Sequence, residues 1–176
     1  SWGVSWRLIG ALIMMHGDDK GLVLPPNIAS IKVVIIPIYY NNEDIIPVRE
    51  KVEKIANDLR DNNIEAFEDN NEQYTPGWKF HNWEMKGVPL RIEIGPRDIS
   101  KGEVTLVRRD TNEKISIKND KVIEKVSLLL KEIQNNLFDK AKKLQDKFNT
   151  RADNFEEFKN IIKEKGGFVR ACWCLE

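Results

Sequence analysis

The sequence predicts an α/β fold with a mixed sheet of about five strands flanked by helices, plus partial flanking domains. Three observations carry this reading. A nearly continuous β-branched run spans Ile31–Ile38, helical and strand periodicities alternate after it, and one long amphipathic stretch follows from about Lys121 to Phe148. The compact domain these elements form runs from about Ile31 to about Leu137.

The first stretch, Ser1 to Leu24, opens in what reads as a strand and passes near Arg7 into a short apolar helix, Leu8 to Met15. His16-Gly17 can end that helix, since glycine suits the left-handed cap position. Pro25-Pro26 then breaks the chain. A strand and helix of this size cannot bury their own apolar surface, so the segment is expected to belong to a larger body.

Ile31–Ile38 has the composition of a buried central strand. Glu43 to Asn63 is a helix with Val48, Val52, Ile55, Ala56 and Leu59 at helical spacing, and its charges form a solvated face. Ile64 to Glu68 is a short strand. Thr75 and Pro76 cap and start a helix over Trp78 to Met85, which Lys86-Gly87 closes. Pro89 to Gly95 alternates Leu90, Ile92 and Ile94 against Arg91 and Glu93, the period of a half-buried strand.

Glu103–Arg109 and Lys114–Lys118 form a hairpin around Asp110-Thr-Asn112. In the long helix, Val122, Val126, Leu129, Ile133, Leu137, Ala141, Leu144 and Phe148 recur every three or four residues. A helix this long is expected to leave its own domain and join the next. Asn154 to Lys165 gives another amphipathic helix, and a strand-like piece, Phe168 to Leu175, follows Gly166-Gly167.

Composition bounds the function. Apolar residues make up 41% and charged residues 32% of the 176, an ordinary profile for a water-soluble protein. The most apolar run, Leu8 to Met15, is too short to span a bilayer and no signal peptide precedes it, so a cytoplasmic protein with no membrane partner is expected. Two cysteines cannot make a disulfide scaffold. The net charge of +0 conceals an asymmetry. Glu43 to Glu72 holds four basic and ten acidic residues, whereas Lys79 to Lys118 holds nine basic and six acidic. A local cationic surface suffices to attract phosphate.

No glycine-rich phosphate loop, Ser/His/Asp order or zinc-protease motif occurs, and the two histidines, His16 and His81, are too few for a histidine-rich metal site. The α/β domain has instead features suited to binding. Phe80, Trp83 and Glu84 lie on adjoining faces of one helix turn, and Arg91 and Arg97 flank the next strand. Single-stranded RNA is read by stacking bases on aromatic rings and bonding their edges with carboxylate and guanidinium groups. Spacing alone favours the plainer role, in which Phe80 and Trp83 pack the helix onto the sheet and the ions form surface pairs.

Three ordered blocks carry a family resemblance. Ser1-Trp-Gly-Val-Ser-Trp-Arg-Leu-Ile-Gly-Ala-Leu-Ile-Met14, with His16-Gly-Asp-Asp-Lys-Gly-Leu-Val-Leu-Pro-Pro26, resembles motif 3 and its sequel in class II prolyl-tRNA synthetases. The block from Pro76 to Ile99 resembles the anticodon-binding domain of the eukaryotic and archaeal-like branch. Gly166-Gly-Phe-Val-Arg170 with Trp173-Cys174 resembles the start of that branch's C-terminal domain.

The resemblance implies a role for each piece. Residues 1–26 would be the end of a class II catalytic domain, 27–138 an anticodon-binding domain, and 139–176 a linker helix and the start of a C-terminal zinc-type domain. Arg7 matches the motif 3 arginine that faces ATP, and Ser5 a neighbouring nucleotide-contacting position; Trp6 stands where many relatives carry a small hydroxyl residue. Phe80 matches a base-stacking position, while Glu84, Arg91 and Arg97 match positions that read the two guanines of the proline anticodon. Arg97 stands where some relatives carry Lys. Guanine O6 and N7 accept from arginine, and its N1–H and N2–H donate to a carboxylate. Arg108 and Arg109 are expected at most to contact phosphate.

Cys174 matches the first cysteine of a structural Zn²⁺ site whose other ligands lie beyond this sequence, and Cys172 matches no ligand position. The resemblance further implies that the intact protein is a homodimer that ligates proline to proline tRNA with ATP and Mg²⁺. Motifs 1 and 2 are absent from these 176 residues, so the expectation is RNA binding without catalysis. The competing reading is a synthetase-derived accessory or regulatory interaction module. A class II synthetase of another specificity is disfavoured by the block from Pro76 to Arg91.

Overall fold

The computed structural model describes residues 3–172. It divides into two compact units, one extending to Leu137 and the other beginning at Phe138.

The first unit is built on a five-stranded sheet of order β2-β1-β3-β4-β5. Strand β1 (Val33–Pro37) is buried throughout and pairs in parallel with β2 (Ala66–Glu68) on one side and β3 (Leu90–Ile94) on the other. Strand β4 (Glu103–Arg108) runs antiparallel to β3, and β5 (Lys114–Lys118) antiparallel to β4. The sheet is therefore mixed, as expected.

Two helices cover one face. Helix α2 (Ile45–Asp61) turns Val48, Val52, Ile55, Ala56 and Leu59 onto Val33, Ile35, Leu90 and Ile92; α5 (Val122–Lys147) adds Val126, Leu129 and Ile133 to the same core. The α-helical part of α2 starts at Ile45, two residues later than the spacing suggests, behind a 3₁₀ turn at Asn42–Asp44. Pro47 explains the delay, because its ring clashes with the carbonyl four residues earlier unless it sits in the first turn. The opposite face is covered by α3 (Pro76–Met85), whose Trp83 joins Val34, Ile36 and Val88 in a smaller apolar cluster. With helices on both faces, β3 is more buried than its alternation implies, and even Glu93 is buried.

Two expectations at the start of the chain are corrected, the strand and the left-handed cap, while the short helix forms with its apolar surface uncovered, as its size implies. Gly3–Trp6 forms no strand, because no neighbouring strand among the described residues offers it a ladder of hydrogen bonds. Helix α1 (Arg7–His16) buries none of its residues, and Val4, Trp6, Leu8, Ile9, Met14 and Met15 stay exposed. Gly17 is extended, with φ −63° and ψ 155°, not left-handed. Glycine is still required there, since a Cβ would fall 2.7 Å from the Ile13 carbonyl oxygen. A helix missed in the sequence, α4 (Pro96–Lys101), follows β3 directly. Its signals were present: Pro96 at the first position, Asp98 accepting from the Gly95 N–H at 2.9 Å, and Gly102 left-handed at the end.

The second unit contains a β-α-β arrangement. Strand β6 (Asn149–Arg151), which the sequence did not suggest, pairs in parallel with β7 (Phe168–Arg170) around α6 (Phe155–Glu164). Asn154 caps α6 by accepting from the Glu157 N–H at 2.9 Å. No helix among the described residues is long and apolar enough to cross a membrane.

Candidate nucleic-acid interface

The α3–β3 face begins with a buried anchor. Thr75 caps α3 by accepting from the Trp78 N–H at 3.3 Å, and Pro76 opens its first turn. Trp83 then points inward and its indole donates to Asp69 Oδ2 at 2.7 Å. Lys79, on the same inner face, donates to the Asp69 carbonyl at 2.7 Å and lies 3.3 Å from Oδ1. With Lys79 and Trp83 inward, helical spacing turns Phe80 and Glu84, one turn apart, onto the flank nearest β3.

Arg91 meets them from the sheet. Its neighbours across the ladder are Val34 and Val107, so strand alternation sends its side chain to the α3 face with Glu93. The Arg91 guanidinium donates to Glu93 Oε1 through Nε at 3.0 Å and through a terminal nitrogen at 2.8 Å. Its centre lies 4.5 Å from the middle of the Phe80 ring. Lys114 approaches Glu93 Oε2 at 3.6 Å. The result is a flat cation held in one orientation on an aromatic face, the form in which arginine best presents paired donors. Glu93 was not singled out in the sequence, although its i, i+2 spacing from Arg91 puts both on one face.

Glu84 is held from a second direction. Its side chain is 18% exposed, and Oε1 accepts from Lys20 at 3.0 Å. Beneath it Arg109, the side chain only 3% exposed, donates to the Glu84 carbonyl at 2.8 Å and to both Asp18 oxygens at 2.6 and 2.7 Å. The Arg109 hydrogen bond holds the Asp18 carboxyl down at about 2, helped by the Lys20 backbone N–H and opposed by partial desolvation. Glu84, Arg91 and Arg109 line one narrow cleft with Val34, Val88 and Asn112.

Of the residues singled out in the sequence, Phe80, Glu84 and Arg91 are thus brought together. Arg97 is not. It is exposed in the first turn of α4, and its side chain makes no hydrogen bond or ion pair among the described residues. Arg91 and Ile94 are already about 10 Å apart at some 3.3 Å of rise per residue, and Arg97 lies beyond a further turn. Trp83 is core, in agreement with the plainer reading of the spacing.

The two arginines expected at most to touch phosphate are both buried instead. Arg108 donates to both Asp110 oxygens at 3.0 and 2.8 Å and to Glu132 at 3.1 Å, tying the hairpin to α5. Arg109 is consumed by Asp18 and Glu84. Arg109 cannot be told from an exposed hairpin arginine in the local sequence, because its partners lie 25 and 91 residues away, whereas the main partner of Arg108, Asp110, is only two residues on.

Ser5 and Arg7 are exposed around the start of α1, where the Leu8 N–H donates to the Ser5 carbonyl at 3.1 Å. No cradle for a nucleotide is assembled around them by the described residues. Cys174 lies outside the described residues. Cys172 is an exposed free thiol, and no group of three or more His, Cys, Asp or Glu side chains among the described residues could hold a metal ion. The described residues therefore do not make up a zinc site.

A βαβ sheet extended by a hairpin, with an aromatic-backed arginine and a carboxylate in one cleft, agrees with a comparison against protein families. Residues 32–129, more than half the chain, match the anticodon binding domain, and the chain belongs to that family. It is 50% identical over 173 residues to a proline–tRNA ligase of Christiangramia forsetii, covering 98% of this chain and 35% of that protein. It is 47% identical over 180 residues to proline–tRNA ligase 2 of Bacillus cereus and 48% over 179 residues to a proline–tRNA ligase of Alkaliphilus oremlandii, each alignment covering 100% of this chain and 36% of the relative. The chain thus spans about a third of the length of these curated relatives.

Proposed function

We propose that this chain is the anticodon-reading part of a proline–tRNA ligase. The observation that carries the proposal is that Glu84 and Arg91 line one cleft of an anticodon-binding domain, with the Arg91 guanidinium lying on the Phe80 ring. In this reading Arg91 donates to guanine O6 and N7 and Glu84 accepts from a guanine N1–H and N2–H edge. Phe80 backs the guanidinium, and Arg97, exposed and uncommitted, contributes a further contact to the same anticodon from α4.

Residues 1–26 then belong to the catalytic domain of the whole enzyme, 27–138 to the anticodon domain and 139–176 to the linker and the start of a C-terminal domain. The whole enzyme is proposed to be a cytoplasmic homodimer that binds proline, ATP, Mg²⁺ and proline tRNA, with Arg7 and Ser5 on the nucleotide side. Arg7 would neutralise charge on phosphate there. The block from Pro76 to Ile99 supports the eukaryotic and archaeal-like branch of the family, whereas the three relatives named above are bacterial proteins.

The test is a titration of the chain with a proline-anticodon stem-loop and with one whose two guanines are replaced, over a salt series. A preference for the guanine loop that survives at higher salt is expected. Equal affinities with a steep salt dependence would reduce the cleft to a phosphate-attracting surface. No binding to either loop would favour an accessory interaction module.

A further inference from the structure

Glu84 is joined, through its backbone carbonyl and one carboxylate oxygen, to a ring of contacts that reaches back to the segment after α1. Arg109 bonds the Glu84 carbonyl with Nε and both Asp18 oxygens with its terminal nitrogens. Asp18 accepts in turn from the Lys20 backbone N–H at 3.0 Å. Asp18 and Gly21 exchange two backbone hydrogen bonds of 3.0 Å, a tight turn that carries Lys20 on its rim. The Lys20 ammonium then closes the ring on Glu84 Oε1 at 3.0 Å. The other oxygen, Oε2, has no hydrogen-bond partner among the described residues.

This turn is clamped to the end of α3. The Leu22 N–H donates to the Met85 carbonyl at 2.9 Å and the Leu24 N–H to the Gly87 carbonyl at 3.1 Å. Gly21, at φ +128°, runs so close that a Cβ would lie 2.5 Å from the Met85 carbonyl oxygen. Lys20 is therefore delivered to Glu84 by a fixed backbone rather than by a wandering loop. An unscreened carboxylate in a cleft for RNA also repels phosphate, and the Lys20 charge beside it offsets that repulsion.

From this geometry we propose that Lys20 and Arg109 are positioning residues for the anticodon cleft. Through Asp18 they hold the Glu84 carboxylate with one oxygen fixed and the other presented to a guanine edge. The proposal rests on the anticodon reading above and adds to it that base selectivity depends on a turn lying outside residues 32–129.

The experiment compares the whole 176-residue chain with its Lys20→Met and Lys20→Arg variants against the guanine stem-loop and a loop with adenines at those two positions. Lys20 is half exposed, so Lys20→Met is expected to leave the thermal unfolding midpoint nearly unchanged. It is expected to lower the guanine-to-adenine affinity ratio by three- to tenfold, with Lys20→Arg recovering most of that ratio. Arg109→Lys, which keeps a cation but loses the fork, is expected to lower the ratio as well. An equal loss on both loops with Lys20→Met would reduce Lys20 to a phosphate contact and overturn the proposal. An unchanged or increased ratio would overturn it too, the latter marking Lys20 as a competitor that RNA displaces. Parent chain without guanine preference would sink both this inference and the anticodon reading, whereas a selective parent with an equally selective Lys20→Met variant would sink this inference alone.

Discussion

Arg91 lies with the centre of its guanidinium 4.5 Å from the middle of the Phe80 ring, and Glu93 grips the same group through two hydrogen bonds to one oxygen. The charge is thus compensated and the plane set before any ligand arrives. An arginine arranged in this way loses little side-chain freedom when it binds a planar partner.

Arg91→Ala is expected to weaken binding of the guanine stem-loop by about 1–3 kcal/mol, the range for a bidentate guanine contact. Arg91→Lys should recover little, since an ammonium has neither the fork nor the plane. Phe80→Leu keeps an apolar contact but loses the aromatic face and should fall between the parent chain and Arg91→Ala. Fluorescence anisotropy on the two loops checks this; an equal loss on both would contradict base reading.

Asp69 holds three donors in the interior of the α3 anchor. Asp69→Ala removes the counter-charge of a lysine whose side chain is only 4% exposed, leaving it only the residue 69 carbonyl, and strands the Trp83 indole N–H; it is expected to cost about 3–5 kcal/mol of stability. Arg49→Ala removes a pair in which both partners are about half exposed, with Glu72, and should cost at most about 1 kcal/mol. Urea unfolding of the two variants should separate them clearly.

Asp18 links stability to pH. Its carboxyl lies at about 2 in the folded chain against 3.8 ordinarily, chiefly because Arg109 donates to it. A depressed acid contributes stability that is fully present above its unfolded value and is lost as pH falls through its folded one. The stability gap between the parent chain and Asp18→Asn should therefore be constant above about pH 5 and narrow steadily from about pH 4 toward pH 2. A gap that holds its size down to pH 2 would show that the Arg109 bond does not discriminate between the two forms of Asp18.

Gly87 is the strictest glycine of the α3–β3 turn. Its φ is +76°, and a Cβ would sit 2.6 Å from the Leu22 carbonyl carbon and oxygen. Gly87→Ala should cost roughly 1–3 kcal/mol through backbone strain and displacement of the Leu22–Leu24 segment. Gly77→Ala, where nothing lies within 4 Å of the new methyl, is the matched control and should be neutral or slightly stabilising. Thermal unfolding midpoints report both.

What the sequence by itself determined is whatever depends on near neighbours. The buried run Val33–Pro37, the apolar stripes of α2 and α5, the Thr75-Pro76 start of α3 and the Asp110–Asn112 turn are local patterns, since periodicity and turn chemistry act within a few residues. Phe80 and Glu84 on one flank and Arg91 on the next strand were legible for the same reason. Even α4 is written locally, in Gly95-Pro96, Asp98 and Gly102.

The tertiary structure decided which charges are spent and which are free. Arg109 looks like any hairpin cation until the chain brings it to Asp18, 91 residues away; Arg108 has Asp110 two residues on, and α5 adds Glu132, 24 residues on. Both were expected at the surface, and both are buried. Arg97, no different in composition, stays exposed in the first turn of α4 with no ion pair among the described residues. Gly3–Trp6 likewise has the composition of a strand but finds no neighbour to pair with among the described residues. A strand or a buried cation exists only when a distant segment supplies the hydrogen-bond partner that offsets its desolvation. That partner is chosen by the fold.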